Sequence, residues 1–334
     1  MGNRPAHFKK DSNVPLSNQT DSPQLPARET VLQVIDHLNS EVLQGKERAI
    51  RLAMTALLSG GHLLLEDIPG LGKTTLALAL AKSLGLSFGR VQCTSDLLPS
   101  DITGLSILDR NENRFRFVKG PIFNHIVLVD EINRAMPKTQ SALLEAMEER
   151  RVTIEGTTYP LPEPFLVIAT QNPTDQVGTY MLPESQLDRF LLATGLGYPQ
   201  DELEKQIIRH GGIRHELETL TPLLESEVFD AARQVAAKLY LGDKLVDYIH
   251  LLVRATRRHP MILTGLSTRC AINLAEVART TAFLAGRDDV IPEDVQHNLG
   301  PVGAHRLILR PEQGSLSKLE VLQSLVKELP VPLA

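Results

Sequence analysis

The sequence predicts an α/β protein: a parallel sheet covered by helices on both faces, followed by an all-helical segment. Three observations predict it. Residues 62–66, 126–129 and 165–170 are short runs that are apolar nearly throughout, as strands buried on both faces require. Stretches with apolar residues at helical spacing separate these runs. After about Tyr198 the strand patterns stop, and only stripes such as Leu245, Ile249, Leu252 and Val253 remain. A length of 334 residues suits about two domains. The expected division is a tail over 1–28, a sheet-bearing core over 29–198 and a helical domain over 199–334, with the boundary near Gly197-Tyr198-Pro199.

The elements follow in chain order. Residues 1–28 hold Pro5, Pro15, Pro23 and Pro26 among many Ser, Asn and Asp. Such a segment buries too little apolar surface to offset its ordering entropy, so a disordered tail is expected. Val31, Val34, Ile35 and Leu38 begin a helix; Ile50, Met54, Leu57 and Leu58 mark a second, stopped by Gly60-Gly61 in a left-handed cap. The strand at 62–66 leads through a glycine-rich turn, Pro69 to Gly72, into a helix carrying Leu76, Leu80 and Leu84. Residues 109–113 read as a turn, and basic and apolar residues alternate over 114–118, so a hairpin is expected. A second hairpin is expected from Val152-Thr153-Ile154 through Glu155-Gly156-Thr157 to Thr158-Tyr159.

Composition removes several function classes. The 35 basic and 40 acidic residues leave a net charge of −5, a poor basis for sequence-independent nucleic-acid binding. Cys93 and Cys270 stand far apart with no CxxC partner, which excludes a disulfide framework or cysteine zinc site and suits a reducing cytosol. No apolar run approaches the ~18 residues that span a bilayer. The first residues lack the apolar region of a secretory signal, so a cytoplasmic protein is expected.

Chemistry concentrates at strand ends. Gly70-Leu71-Gly72-Lys73-Thr74 follows a strand and opens a helix, the context a phosphate loop requires. Glycines let backbone N–H groups curl around phosphates, and the helix N-terminus adds its positive dipole end. Pro69, Gly70, Leu71, Gly72, Lys73, Thr74 and Thr75 are therefore the candidate ATP-binding residues. Lys73 would reach the β- and γ-phosphates, and the Thr74 hydroxyl would ligate Mg²⁺. Asp67 stands where the usual eight-residue pattern has its first glycine, a place that tolerates a side chain ahead of the tight curl. The strand at 126–129 ends in Asp130 and Glu131. Beside a phosphate loop, Asp130 would hold Mg²⁺ through water and Glu131 would act as general base on the attacking water. Asn172, at the end of the 165–170 strand, could orient that water. Arg189 and Arg269 could each stabilise charge on the γ-phosphate, but chemistry alone does not single them out from the other arginines.

At this point the residues resemble a known family. Gly70–Thr74, the run 130–135, the run 138–149 and the run 182–190 are similar to the MoxR family of AAA+ ATPases, and the likeness extends over nearly the whole chain from Leu32. The resemblance implies an AAA+ ATPase core with a helical lid, assembled into a ring, usually a hexamer. It makes the 114–118 hairpin the helix-2 insertion and the 154–158 hairpin the pre-sensor insertion. It makes Asn172 the first sensor, Arg189 the arginine finger reaching the neighbouring subunit, and Arg269 the second sensor; Thr268 stands where the family usually has proline. The implied activity is ATP hydrolysis by a remodelling chaperone that assists maturation or cofactor insertion of a client protein, with partners bearing a von Willebrand factor type A domain.

A ring fits this chemistry, since a finger supplied from a neighbour couples hydrolysis to subunit movement. A hinge near Tyr198 would let the lid follow nucleotide state, and the paired hairpins would rim the pore and grip the client. Two other readings stand beside it: a motor subunit of a metal chelatase or nucleic-acid-acting complex, and a nucleotide-gated switch that hydrolyses slowly. The net charge and the lack of a basic, aromatic-interleaved stripe weigh against nucleic acid. Glu131 weighs against a pure switch, which has no use for a positioned base. A small-molecule phosphotransferase would leave Glu131, Asn172 and Arg189 unexplained.

Overall fold

The structure is a computed structural model, described here over residues 24–109, 113–172, 178–210, 217, 219–311 and 317–332. Residues 1–23 of the expected tail and the hairpin tip 110–112 lie outside these. Strands β1 (Leu63–Glu66), β2 (Phe88–Gln92), β3 (Gly104–Asp109), β4 (Arg114–Lys119), β5 (Ile126–Asp130), β6 (Arg151–Ile154), β7 (Thr157–Pro160), β8 (Leu166–Gln171) and β9 (Leu192–Thr194) lie in the first two-thirds of the chain. Five of them form one sheet in the order β2-β5-β8-β1-β9, every pair parallel.

Alternate residues of these strands enter two separate cores. Leu63 and Leu65, Ile126 and Leu128, and Leu166 and Ile168 face helices α1 (Gln24–His37), α2 (Glu47–Leu58) and α3 (Lys73–Ser83). Leu64, Val127, Val129 and Val167 face the opposite way, onto Leu143, Leu144 and Met147 of α5 (Pro137–Glu149), which follows the short α4 (Pro99–Thr103). Burial on both faces is why these strands are apolar until their carboxyl ends, where Glu66, Asp130, Thr170 and Gln171 stand. The sequence left β2 and β9 unread. In β2 Arg90 and Gln92 are exposed while Gly89 and Val91 are buried, an edge-strand pattern without a continuous apolar run, and β9 has only three residues.

The cap after α2 forms as expected. Gly60 has φ 65°, Gly60 N–H donates to Leu57, and Gly61 N–H reaches back to Ala56, the pairing of a Schellman motif. Both hairpins form, β3 with β4 and β6 with β7. They meet through Phe117, stacked on Tyr159 with ring centroids 4.3 Å apart and edge-on to Phe123.

Two expectations are corrected. The tail does not run to residue 28, because α1 begins at Gln24. Pro26 falls in its first turn, where a missing N–H costs nothing. Ala27 is buried, and Arg28 donates to the Arg287 carbonyl at 3.1 Å and lies over the Phe283 ring. The short α6 (Glu184–Leu187) precedes β9, and beyond β9 come α7 (Asp201–His210), α8 (Ser226–Lys238), α9 (Asp243–Arg258), α10 (Thr268–Leu284), α11 (Pro292–Gly303) and α12 (Lys318–Glu328). This region is not wholly helical: β10 (Ile262–Thr264) pairs antiparallel with β11 (Ile308–Leu309). The pair is too short for periodicity to show it. Apolar residues of α8 to α12 join the same core as α1 to α3.

His62, just before β1, is fully enclosed and bonded at both ring nitrogens. Its Nδ1 accepts from Val167 N–H at 3.0 Å, so Nε2 carries the proton donated to the Met147 carbonyl at 3.2 Å. Burial, then the nearby Arg150 charge, push its pKa down to about 3. The unfolded chain therefore binds this proton first. The stability held by neutral His62 is complete above about pH 6.5 and is lost as pH falls towards 3, by up to about 1.4 kcal/mol per unit. Urea midpoints should fall between pH 6.5 and 5, with a shallower slope in His62→Gln; equal slopes would contradict this account.

Candidate active site

The phosphate loop occupies the turn from the carboxyl end of β1 to α3. Gly70 and Gly72 have φ of 86° and 94°, in the region where a side chain is strained. A Cβ at Gly70 would meet nothing within 4 Å, so backbone conformation rather than space demands glycine there. Pro69, Gly70, Leu71 and Gly72 form the turn; Lys73, Thr74 and Thr75 form the first turn of α3, whose Leu76 and Leu80 are fully buried. Rigid burial below the first turn suits this helix terminus to hold an anion. The Lys73 ammonium folds back onto the Asp67 carbonyl. Burial lowers its pKa, and Asp67, Asp130 and Glu131 oppose that shift.

Asp67 has a task of its own. Its carboxylate accepts from the backbone N–H groups of Leu196 and Gly197, the latter at 3.2 Å. Lys46 donates to the carbonyls of the same two residues at 3.0 and 2.6 Å. The side chain that replaces the first glycine thus clasps the segment leading out of β9 to the loop itself.

Asp130, the last residue of β5, is 8% exposed. Its Oδ2 takes Arg90 Nε at 2.9 Å and Nη2 at 2.8 Å, and its Oδ1 accepts from Thr170 Oγ1 at 3.3 Å. Glu131 has φ 56°, a left-handed conformation that costs energy outside glycine and often marks functional positions. Its N–H donates to Thr170 Oγ1 at 2.9 Å; its carboxylate meets Gln92 at 3.4 Å and Arg134 at 3.0 Å. Thr170 lies on β8, the strand between β5 and β1, and Asn172 follows that strand's last residue. Gln171 donates to Glu66 at 2.6 Å, and Asp67 N–H donates back to the Gln171 carbonyl. The loop, both acids and Asn172 are therefore gathered at the carboxyl ends of neighbouring parallel strands. Cys93, bonded through its N–H to the Asp130 carbonyl, is buried, and its thiol pKa is pushed up to about 12, so it is packing.

Arg189 and Arg269 lie elsewhere. Both pair with Glu148, Arg189 at 3.1 Å and Arg269 at 3.1 Å. Glu148 follows Met147, whose carbonyl bonds His62 at the amino end of β1, and the Leu191 N–H bonds the His62 carbonyl. The arginine pair is thus located at the amino edge of the sheet, with the length of β1 between it and the chain's own phosphate loop. Four residues at ~3.3 Å each span about 13 Å, beyond the reach of one side chain. Two guanidinium groups share one carboxylate, so the cluster keeps an unbalanced positive charge.

Sequence reading missed Arg90, Gln92 and Thr170 around the acids, Asp67 with Lys46 at the clasp, and Glu148 between the arginines. Arg90 and Gln92 carry a readable pattern, alternation about Val91, but only once β2 is recognised. Among the described residues no three His, Cys, Asp or Glu side chains are gathered to hold a metal. The hard oxygen donors of Thr74 and Asp130 suit Mg²⁺, which is commonly bound by one or two protein ligands and substrate phosphates.

Comparison with known proteins matches the two parts of the fold. The family model for ATPases associated with various cellular activities (AAA) matches residues 62–192, and that for the AAA lid domain matches 254–325. The uncharacterized protein YeaC of Bacillus subtilis is 45% identical over 89% of this chain and 92% of its own. Chaperone MoxR1 of Mycobacterium tuberculosis is 39% identical over 80% of this chain and 73% of its own. A crystal structure from Cytophaga hutchinsonii superposes with a TM-score of 0.84, is 38% identical, and matches over 93% of this chain and 97% of that one.

The clasp yields a direct expectation. Asp67→Ala strands the Leu196 and Gly197 N–H groups and should lower stability by about 1–2 kcal/mol, read as a fall in urea midpoint. An unchanged midpoint would mean that the clasp holds nothing.

Proposed function

The chain belongs to the MoxR family of AAA+ ATPases, and from that premise we propose that it works as a ring-forming remodelling chaperone whose ATP sites are completed by arginines from a neighbouring copy. One observation carries the reading: a single chain holds its phosphate loop and its arginine pair at opposite ends of the sheet's parallel strands. A closed ring of heterologous contacts would bring one copy's arginine edge to the next copy's loop. The unbalanced charge at Glu148 would then meet a triphosphate, its natural complement.

In this reading Pro69, Gly70, Leu71, Gly72, Lys73, Thr74 and Thr75 bind ATP, with Lys73 exchanging the Asp67 carbonyl for phosphate oxygens. Thr74 and Asp130 would hold Mg²⁺, which would supply charge neutralisation at the phosphates. Glu131 leaves Gln92 and Arg134 to take a proton from the attacking water, and Asn172 orients that water. Arg189, and Arg269 beside it, stabilise charge growing on the neighbour's γ-phosphate. Placing Arg269 with Arg189 makes the second sensor a contribution to the neighbouring site.

The relative named as a chaperone supports a protein client. Maturation or cofactor insertion in that client, a partner with a von Willebrand factor type A domain, a hexameric ring and a cytoplasmic setting complete the proposal. The exposed hairpin residues Leu105, Ile107, Leu108 and Phe115 offer the apolar grip such work needs. No helix of the described residues is long and apolar enough to cross a membrane.

ATP turnover measured against protein concentration tests the shared site. Specific activity should rise with concentration, and both Glu131→Gln and Arg189→Ala should lose about 10²-fold or more. Mixing the two inactive variants should restore turnover, since each supplies what the other lacks. Flat specific activity with an active Arg189→Ala would refute the shared site.

A further inference from the structure

Arg189 sits in a short connection, Asp188 to Leu191, between α6 and β9. This connection is gripped from more than a hundred residues away. Arg306 lies in the single turn Ala304–Arg306 that follows α11, and its side chain is 3% exposed. Its Nε donates to Asp188 Oδ1 at 2.7 Å; Nη2 donates to the Phe190 carbonyl at 2.6 Å and the Asp188 carbonyl at 3.2 Å; Nη1 donates to the Leu191 carbonyl at 3.3 Å and to the Val302 carbonyl. His305 is also fully buried, and its Nε2 donates to the same Phe190 carbonyl at 3.0 Å. Burial, and then the Arg306 charge, hold its pKa well below the ordinary range, so the ring is neutral.

A buried guanidinium is costly unless its donors are all met. Here the acceptors are the Asp188 carboxylate and the backbone carbonyls of Asp188, Phe190 and Leu191 around Arg189, besides the Val302 carbonyl of the preceding helix. Phe190 adds a fully buried ring in the core beneath α5. The chain is therefore fixed immediately before and after Arg189, while the Arg189 side chain is left 28% exposed and directed to Glu148. A buried arginine that merely tied two parts of the fold together would have no reason to spend its donors on this one connection.

We propose that Arg306, assisted by His305 and by Asp188, is the positioning residue of the arginine finger: it transmits the placement of the helical domain to Arg189, and so to the neighbouring copy's ATP. The proposal rests on the reading of Arg189 as a finger acting between copies. It deepens that reading, because a helical domain that shifts in one copy then carries the finger with it and alters hydrolysis next door.

Turnover in mixed rings tests it. Arg306→Lys keeps the charge and loses the planar fork, and Asp188→Asn keeps the shape and loses the charge. Each should lower kcat about ten- to a hundredfold, the scale expected for small misplacement of a catalytic group, with the KM for ATP and ring size unchanged. Adding an excess of Glu131→Gln, inactive but with its own finger intact, should restore turnover to either variant. Arg189→Ala mixed with Glu131→Gln is the control. Wild-type kcat in both variants overturns the proposal. So does a loss of kcat that mixing fails to restore while the Arg189→Ala control is restored. If the control also fails, the finger reading itself falls and takes the proposal with it. Should Arg306→Lys not fold, Asp188→Asn, on the partly exposed side of the pair, decides alone.

Discussion

The length of β1 is the constraint on which the rest of the molecule depends. Its carboxyl end launches the phosphate loop, and the two neighbours that flank it, β8 and β9, take their register from it. Its amino end is held by His62, which fixes both the start of β8 and the end of α5. Every charged group of the site is therefore referred to one four-residue strand buried on both faces. Because that strand is paired on both sides from Leu63 to Leu65, the loop and the arginines are held apart within one chain. A site that needs both is obliged to find the second in another molecule.

The same sheet leaves each reactive charge with a partner inside the protein. Asp130 is answered by Arg90, Glu131 by Arg134 and Gln92, Lys73 by the Asp67 carbonyl, and the arginine pair by Glu148. None of these pairs is deeply buried on both sides, so none is strong enough to be permanent. Binding of a polyanion then becomes an exchange of partners rather than the creation of new charge contacts. Such an exchange limits the net affinity and frees each group at the moment it is needed.

Much of this was legible beforehand, and the reasons are particular. The strands at β1, β5 and β8 are apolar up to their carboxyl ends because both faces are covered, and the loop glycines stand out because φ near 90° at Gly70 and Gly72 strains any other residue. Gly60-Gly61 announced the end of α2 for the same reason. The start of α1 was hidden by Pro26, which reads as a breaker unless it falls in a first turn. β2 and the β10–β11 pair were hidden by brevity and by polar alternation. The partners of the site residues were hidden most completely. Glu148 looks like any acid on an exposed helix face, and Arg306 like any arginine after a helix, until the fold brings them to Arg189. Contacts across a hundred residues leave no local periodicity to read.

Asp67 carries a consequence for how such chains are engineered. At the head of the phosphate loop it departs from the commonest residue of the motif, and the departure is filled by two backbone N–H groups and shadowed by Lys46. Restoring the majority residue is a standard route to a more robust protein. Here it would trade a tether for a flexible glycine, and it would do so at the junction between the nucleotide and the path to the helical domain. Sequence averages reward agreement position by position. They are blind to a substitution whose value lies in a contact made on the far side of the sheet's edge, where the average protein has nothing to hold.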